Sequence, residues 1–202
     1  VGAAILVDGA HALGMLPVQV PQLGVDFWVG NLHKWACAPA GAAALWVAPA
    51  WHGRMRSLVV SWGESEGFPT SFDRVGTDDL SAWLAAPLSL RLLGELGWER
   101  VRRHNEALVR WAQAAVAEAI GTPPPELRCD PGLSMAIVPL PHGRADDPEQ
   151  LQGLKVRLRD LGVETAVRCW GGRGAIRLSA QVYNQPADYQ RLAAGVRDFL
   201  AS

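Results

Sequence analysis

The sequence contains few lysines and few cysteines, and its positive and negative charges nearly balance. Its 202 residues contain 19 Lys and Arg against 20 Asp and Glu, which gives a formal net charge of −1. The arginine-rich stretch at residues 99–104 alternates with acidic and apolar residues, as an exposed helix face does. This balance excludes a protein that holds nucleic acid on a broad basic surface, because such proteins cluster an excess of positive charge.

Cysteine is equally sparse. The three cysteines, Cys37, Cys129 and Cys169, are odd in number and lie far apart in the chain. This spacing argues against a disulfide framework and against a zinc site, and it favours a reducing compartment. We therefore expect a cytoplasmic protein.

A long hydrophobic run is also lacking. The longest apolar stretch, residues 38–51, is interrupted by Pro and Gly and is shorter than the roughly 20 residues that a membrane-spanning helix needs. The first residues, VGAAILV, have no basic leader and are typical of a buried strand that ends at Asp8. We expect no membrane anchor, and because the chain starts without Met in such a strand, we expect it to be the C-terminal part of a longer protein.

The sequence shows two different hydrophobic patterns, one before and one after about Asp78. Short apolar runs at residues 3–8, 25–31 and 42–48 have strand length without helical spacing, which is typical of a sheet covered on both faces. From about Asp78, apolar residues recur at helical spacing over residues 78–97 and 98–121, with Asp78 or Asp79 as a candidate N-cap. A Pro-rich loop follows, and then the order strand, helix, strand, strand, helix.

These patterns predict an α/β fold. We expect residues 1–78 to be part of a large α/β domain, residues 79–122 to form a helical connector, and residues 123–202 to form a small C-terminal α/β domain.

In residues 1–78, two polar side chains lie at the end of the first apolar strand. Asp8 closes this strand, and His11 lies three residues further, in a Gly-flanked turn. Ligands of α/β sheets bind at the carboxyl ends of the strands, which makes Asp8 a candidate site residue, although an Asp here also commonly caps the next turn.

Lys34 is one of only two lysines, and it lies in the segment GNLHKWACAPAG at the end of a strand. The other, Lys155, lies among alternating charges and is typical of an exposed helix face. An amine held still and partly desolvated suits attack on a carbonyl, whereas an isolated lysine more often extends its stem to the surface.

An acid and a lysine at one sheet edge are what pyridoxal phosphate (PLP) requires. The lysine forms a Schiff base with the cofactor, and the carboxylate keeps the pyridine nitrogen protonated. A metal site formed by Asp8, His11 and His33 is the rival interpretation, but it matches no standard ligand pattern and leaves Lys34 unexplained. We predict PLP and no metal.

Four segments in order, VDGAHALG, GNLHKWACAPAG, VGTDDLSAWLA and IRLSAQVYN, resemble the class V aminotransferase family of fold-type I PLP enzymes, in particular its isopenicillin N epimerase-like branch. The resemblance covers nearly the whole chain. It implies the C-terminal part of a fold-type I PLP-transferase large domain followed by the small C-terminal α/β domain.

The resemblance also implies a role for each matching residue. Asp8 would pair with the pyridine nitrogen, His11 would contact the phenolic oxygen, His33 would help to bind the phosphate, and Lys34 would be the Schiff-base lysine and the proton shuttle. Thr77 would reach the phosphate of the neighbouring subunit, so that a homodimer shares its active sites. Arg177 would bind the substrate carboxylate, with Asn184 supporting its strand and loop.

The sequence also departs from the family pattern. Asn31 stands where many members have Ser or Thr, so an amide would replace one hydroxyl at the phosphate. The phosphate loop normally lies upstream of the Asp8 segment, so we expect this chain alone to bind PLP weakly or not at all. Among the nine tryptophans, Trp35 and Trp62 are the candidates for a site role, whereas His52, His104 and His142 receive none.

The reaction that we expect is α-proton chemistry on an amino acid or amino-acid-like carboxylate, either epimerisation or transamination. Cysteine desulfurases of the class need a nucleophilic Cys on a long mobile loop, but Cys169 lies only eight residues before Arg177; Cys37 is predicted to be structural. A PLP-dependent C–S lyase and a non-catalytic fragment or scaffold remain the alternatives.

Overall fold

The computed structural model describes residues 2–201, apart from the side chain of Pro125. The chain forms two compact units, Val1–Trp98 and Glu99–Ser202. The predicted division at residues 78 and 122 stays a prediction. None of the helices within residues 2–201 has the length and apolar character needed to cross a bilayer.

The first unit contains a three-stranded sheet in the order β1 (Leu6–Asp8), β2 (Phe27–Asn31) and β3 (Ala43–Val47). Strands β1 and β2 are parallel, whereas β3 is antiparallel to β2. The three apolar runs predicted as strands each contain one of these strands. Residues 32–42 are too few for the crossover that a parallel return needs, which is about a dozen residues or more, so the chain turns back beside β2.

The helices of this unit are α1 (Thr70–Asp73) and α2 (Ser81–Leu96), and short 3-10 turns occupy Val20–Gln22, Pro49–Arg54 and Glu64–Glu66. The sequence predicted α2 but not α1. Leu80, rather than the predicted Asp78 or Asp79, occupies the N-cap position of α2. The Asp79 carboxylate accepts a hydrogen bond from the Ser81 backbone N–H at 2.9 Å, and hydrogen bonds from the Ser81 hydroxyl and backbone N–H hold the pKa of Asp79 below its usual range.

The side chain of Trp28 packs across the ends of two neighbouring strands of the first sheet. Trp28, on β2, is 2% exposed. Its indole lies over Gly9 and Gly30, where an added β-carbon would overlap the ring. These glycines are therefore required by the close approach of the ring, and the packing fixes β1 against β2 at their carboxyl ends.

The second unit contains α3 (Trp98–Ile120, beginning at the last residue of the first unit), β4 (Met135–Pro139), α4 (Pro148–Asp160), β5 (Ala166–Trp170), β6 (Arg173–Ser179) and α5 (Pro186–Ala201), with a 3-10 turn at Pro124–Glu126. Its antiparallel sheet has the order β4-β6-β5. The predicted order of strand, helix, strand, strand, helix is observed. Strand β5 reaches the turn itself, because Cys169 and Trp170 pair with Gly174 and Arg173 of β6.

Burial alternates along these strands. Val138, Ile176 and Val167 are fully buried on one face of the sheet, whereas Ile137 and Arg177 lie on the other and are exposed. Helices α3, α4 and α5 contribute to the core on the covered face, whose largest fully buried side chains are Leu140, Leu154, Leu158, Ile176, Leu178, Val109, Val116, Val138, Val167 and Val196. This core provides the hydrophobic stabilisation of the second unit.

Candidate active site

The carboxyl ends of β1 and β2 form one edge of the first sheet. Asp8 is the last residue of β1 and pairs with Val29, while Asn31 is the last residue of β2. The turn after β1 carries His11, and the loop after β2 carries His33 and Lys34. Because the two strands are parallel neighbours, the segments that follow them emerge at the same edge.

Asp8 is exposed, and one of its carboxylate oxygens has a local role. The Ala10 backbone N–H donates to Asp8 Oδ1 at 2.9 Å, and the Gly9 N–H donates to the Val29 carbonyl at 2.7 Å. The Ala10 contact is the turn-capping role that the sequence left open for this residue. It fixes the direction of the carboxylate while leaving the group accessible.

The loop that carries Lys34 is held by backbone hydrogen bonds. The Cys37 N–H donates to the Lys34 carbonyl at 3.2 Å, and the Ala38 N–H donates to the Leu32 carbonyl at 3.0 Å. Lys34 is partly buried, and the Trp35 and Ala36 side chains that follow it are buried. The amine is therefore held by an ordered segment and is partly removed from water.

His11 makes two contacts with this loop. Its Nε2 lies 3.2 Å from Lys34 Nζ, and its Nδ1 accepts a hydrogen bond of 3.2 Å from the indole N–H of Trp35. The structure thus brings together the imidazole and the amine that the sequence predicted as site residues, together with one of the two tryptophans that it singled out. The other, Trp62, is 85% exposed.

Gly14 permits this contact. A β-carbon at Gly14 would lie 2.6 Å from the Trp35 backbone carbonyl, and the residue has φ +86. A larger side chain there would push the turn of His11 away from the loop of Lys34.

The remaining candidates in the first unit are less enclosed. Asn31 is half-buried and pairs with Ala43, whereas His33 and Thr77 are exposed. Thr77 lies in the segment before α2. These positions leave their side chains available, and their predicted contacts with the cofactor phosphate stay predictions.

Arg177 and Asn184 belong to the second unit. Arg177 lies within β6 on the exposed face of the sheet, between Ile137 and Ala166 in register. It lines a cavity of about 460 Å³ with Arg168, Asn184 and the carboxylates of Glu164 and Asp188. The exposed guanidinium and the two acids suit a ligand that carries charges of both signs.

Asn184 stabilises the turn that follows β6. Its side-chain oxygen accepts a hydrogen bond from the Gln181 backbone N–H at 3.0 Å, and its backbone N–H donates to the Gln181 carbonyl at 2.8 Å. The Asp188 carboxylate then accepts from the Gln185 N–H at 2.9 Å at the start of α5. The turn that leaves the strand of Arg177 is thereby anchored to α5.

Cys169 is part of a hairpin rather than of a long loop. It pairs with Gly174, and the two strands are joined by the two-residue turn Gly171–Gly172, in which both residues have positive φ. Its Sγ lies 3.2 Å from the Asp146 carbonyl. This thiol is exposed but fixed to the strand ladder. Cys37, predicted to be structural, is also exposed and has φ 56.

Ser89 was not a candidate from the sequence. Its hydroxyl donates to the Cys37 carbonyl at 3.1 Å and so joins α2 to the loop of Lys34. The two residues are 52 positions apart, and nothing in the local sequence around Ser89 indicates this contact. Within residues 2–201, no group of three or more His, Cys, Asp or Glu side chains is arranged to hold a metal ion.

Comparison with known proteins shows the family to which the chain belongs. The family model described as aminotransferase class V matches residues 1–192, and the chain belongs to this family. The predicted family and the predicted α/β fold class are confirmed. Members of this family bind PLP, which agrees with the cofactor predicted from the sequence.

Curated relatives carry more than one activity. The chain is 33% identical over 213 residues to the isopenicillin N epimerase of Streptomyces clavuligerus, covering 95% of this chain and 52% of that protein. It is 33% identical to a probable chloroplastic L-cysteine desulfhydrase of Arabidopsis thaliana, covering 93% of this chain and 42% of that protein. The chain thus spans about half the length of the curated relatives that it matches.

Solved structures show the same fold. An apo cysteine desulfurase from Thermococcus onnurineus superposes with a TM-score of 0.74 at 18% identity, covering 99% of this chain and 53% of that one. The cystine C-S lyase C-DES, in complex with its product cysteine persulfide, gives a TM-score of 0.71 at 20% identity, covering 97% and 52%. A variant of C-DES carries glycine covalently linked to its PLP cofactor.

Proposed function

We propose that the complete protein is a PLP-dependent enzyme that acts at the α-carbon of an amino acid or amino-acid-like substrate. Its reaction is of the epimerase or aminotransferase type, and Lys34 is the amine that joins the cofactor. One observation carries this proposal: Lys34 Nζ lies 3.2 Å from His11 Nε2 at the sheet edge where Asp8 ends β1.

The side chains at this edge fit PLP by their chemistry. The cofactor has a pyridine nitrogen that a carboxylate holds protonated, an aldehyde that an amine attacks, and a phenolic oxygen that accepts a hydrogen bond. Asp8, Lys34 and His11 supply these three partners from two adjacent strand ends. Asn31, His33 and Thr77 are proposed to contribute to the phosphate site.

When bound, PLP supplies an electron-accepting ring that weakens the bonds at the substrate α-carbon. In our proposal, the chain provides positioning and proton transfer. The Asp8 carboxylate, directed by the Ala10 N–H, holds the ring nitrogen. The Lys34 amine removes the α-proton, and the partial burial of Lys34 limits competition from water. An epimerase reaction also needs a second acid, on the opposite face of the substrate, to deliver the new proton.

Arg177 is the proposed ligand of the substrate carboxylate. A guanidinium forms two parallel hydrogen bonds with a carboxylate, which fixes the substrate's orientation as well as its affinity. The turn anchored by Asn184 supports the end of β6, and this is the positioning role that we propose for Asn184.

A PLP-dependent C–S lyase is the second candidate function. The relatives named as L-cysteine desulfhydrases are as similar to this chain as the epimerase, at 32–33% identity. Cleavage of a carbon–sulfur bond also begins with removal of the α-proton, so the same Lys34 and Asp8 serve it. A desulfurase that uses a mobile thiol is disfavoured, because Cys169 is fixed in a hairpin.

The cofactor proposal is tested with the complete protein and added PLP. We expect a visible absorbance band from the covalent linkage, which Lys34→Ala abolishes. Lys155→Ala is the matched control, since it removes the other lysine of this chain, on α4, and should keep the band. An intact protein without any such band would contradict the enzyme proposal and favour a non-catalytic scaffold.

Product analysis separates the two reactions. Deuterium uptake at the α-carbon without loss of substrate indicates an epimerase, amino-group transfer to a keto acid indicates an aminotransferase, and release of pyruvate and sulfide indicates a lyase. Removal of the amine through Lys34→Ala should abolish whichever activity is found, because each depends on the same proton.

We also propose a cytoplasmic homodimer in which Thr77 of one subunit reaches the phosphate site of the other. The exposure of Thr77 supports this proposal. Sedimentation of the complete protein as a monomer under conditions of full activity would contradict it.

A further inference from the structure

The indole N–H of Trp35 contacts the ring nitrogen of His11 that faces away from Lys34. Trp35 Nε1 and His11 Nδ1 are 3.2 Å apart, and Trp35 is 7% exposed. An indole N–H only donates, so Nδ1 must present its lone pair to make this hydrogen bond. A ring protonated at both nitrogens would direct one N–H against the other.

The Trp35 contact therefore determines where the proton of His11 lies. In a neutral imidazole with a free lone pair on Nδ1, the proton is on Nε2. His11 Nε2 is the atom that lies 3.2 Å from Lys34 Nζ. The Nε2–H donates to Nζ only when the amine has its own lone pair free, because an ammonium group has no lone pair to accept with.

From this geometry we propose that Trp35 is a positioning residue that fixes the tautomer of His11, so that the Nε2–H is directed at the Lys34 amine. The opposite tautomer would turn the Nε2 lone pair toward Nζ and would leave the Trp35 N–H without an acceptor on His11. The catalytic importance of Trp35 rests on the proposed function, in which Lys34 is the reactive amine, whereas the tautomer assignment does not.

Cyanate labelling of the complete protein without cofactor tests this proposal, since cyanate carbamylates only unprotonated amines. Mass spectrometry gives the extent of labelling at Lys34 relative to Lys155, which is the internal standard within the same chain. At neutral pH we expect Trp35→Phe to lower this ratio up to about tenfold, the effect of losing one hydrogen bond. Trp62→Phe, which alters an exposed indole, should leave the ratio unchanged.

An unchanged ratio in folded Trp35→Phe would overturn the proposal.

The protonation of the His11 ring nitrogens can also be measured by nitrogen NMR on the wild-type protein, without any substitution. We expect the signature of an unprotonated Nδ1 and a protonated Nε2, and a proton on Nδ1 would refute the assignment. Neither readout uses catalysis. A missing PLP band with the expected labelling would therefore contradict the proposed function alone, and an intact PLP band with unchanged labelling would contradict the role of Trp35 alone.

Discussion

Trp28 covers Gly30 two residues along β2, so that its ring occupies the space where a side chain at Gly30 would begin. The same ring covers Gly9 on the neighbouring strand. These contacts lie beneath the strand ends that carry Asp8 and Asn31. The position of the site edge therefore depends on a packing contact on one face of the sheet.

Gly30→Ala should destabilise the protein by about 1–3 kcal/mol, because the new methyl group overlaps a buried ring that has little room to move. The change is measured as a shift in the urea midpoint of unfolding. Gly53→Ala is the matched control, since a β-carbon there meets no atom within 4 Å, and its effect should stay within about 0.5 kcal/mol. Equal midpoints for the two variants would contradict the packing argument.

Tyr189 provides a prediction at alkaline pH. Burial, and secondarily the negative charge of Asp188, raises its pKa from 10.0 to about 12, and its hydroxyl donates to the Ser179 carbonyl at 2.8 Å. Because the folded pKa lies above the unfolded one, the unfolded state loses its proton first as pH rises. The stabilisation is complete below the unfolded pKa of about 10 and is lost as the pH rises toward about 12.

Tyrosinate absorbance measures this directly, since Tyr183 is the only other tyrosine. Tyr189→Phe should remove the component that titrates near pH 12 and lessen the alkaline loss of stability. Tyr183→Phe, which alters an exposed ring, should keep that component. A high-pH component that survives Tyr189→Phe would mean that the raised pKa is assigned to the wrong residue.

Two arginines of one cavity provide a matched pair for the substrate-binding proposal. Arg177 and Arg168 line the same cavity of the second unit. In the complete enzyme, Arg177→Lys should raise KM by about ten- to a hundredfold, since a lysine cannot make the paired hydrogen bonds of a guanidinium. Arg168→Lys should change KM by less than about twofold. The reverse order in steady-state kinetics would assign the carboxylate to Arg168.

Most strands and helices could be predicted because the spacing of apolar residues differs between the two kinds of element. The apolar runs that contain β1, β2 and β3 and the helical spacing of α2 and α3 are local properties of the sequence. The antiparallel direction of β3 is not visible in periodicity, since it depends on how the loop of residues 32–42 returns. The pairing of Cys169 with Gly174 was missed because its Trp-Gly-Gly segment is also typical of a loop.

The candidate site residues could be named from the sequence, but their contacts could not. Asp8 and Lys34 were singled out by residue type and order, His11 also by the family resemblance, and their roles stay predictions. The Trp35–His11 hydrogen bond joins residues 24 positions apart, and the Ser89–Cys37 bond joins residues 52 apart. Such contacts depend on the direction of individual side chains after packing, which no periodicity encodes.

The hairpin of β5 and β6 limits the movement of Cys169. A thiol locked into a strand ladder, with only two glycines at the turn beyond it, has no tether with which to collect a sulfur atom and pass it to another protein. Cys169 is therefore not able to act as a swinging arm that carries a sulfur atom from this chain to another protein.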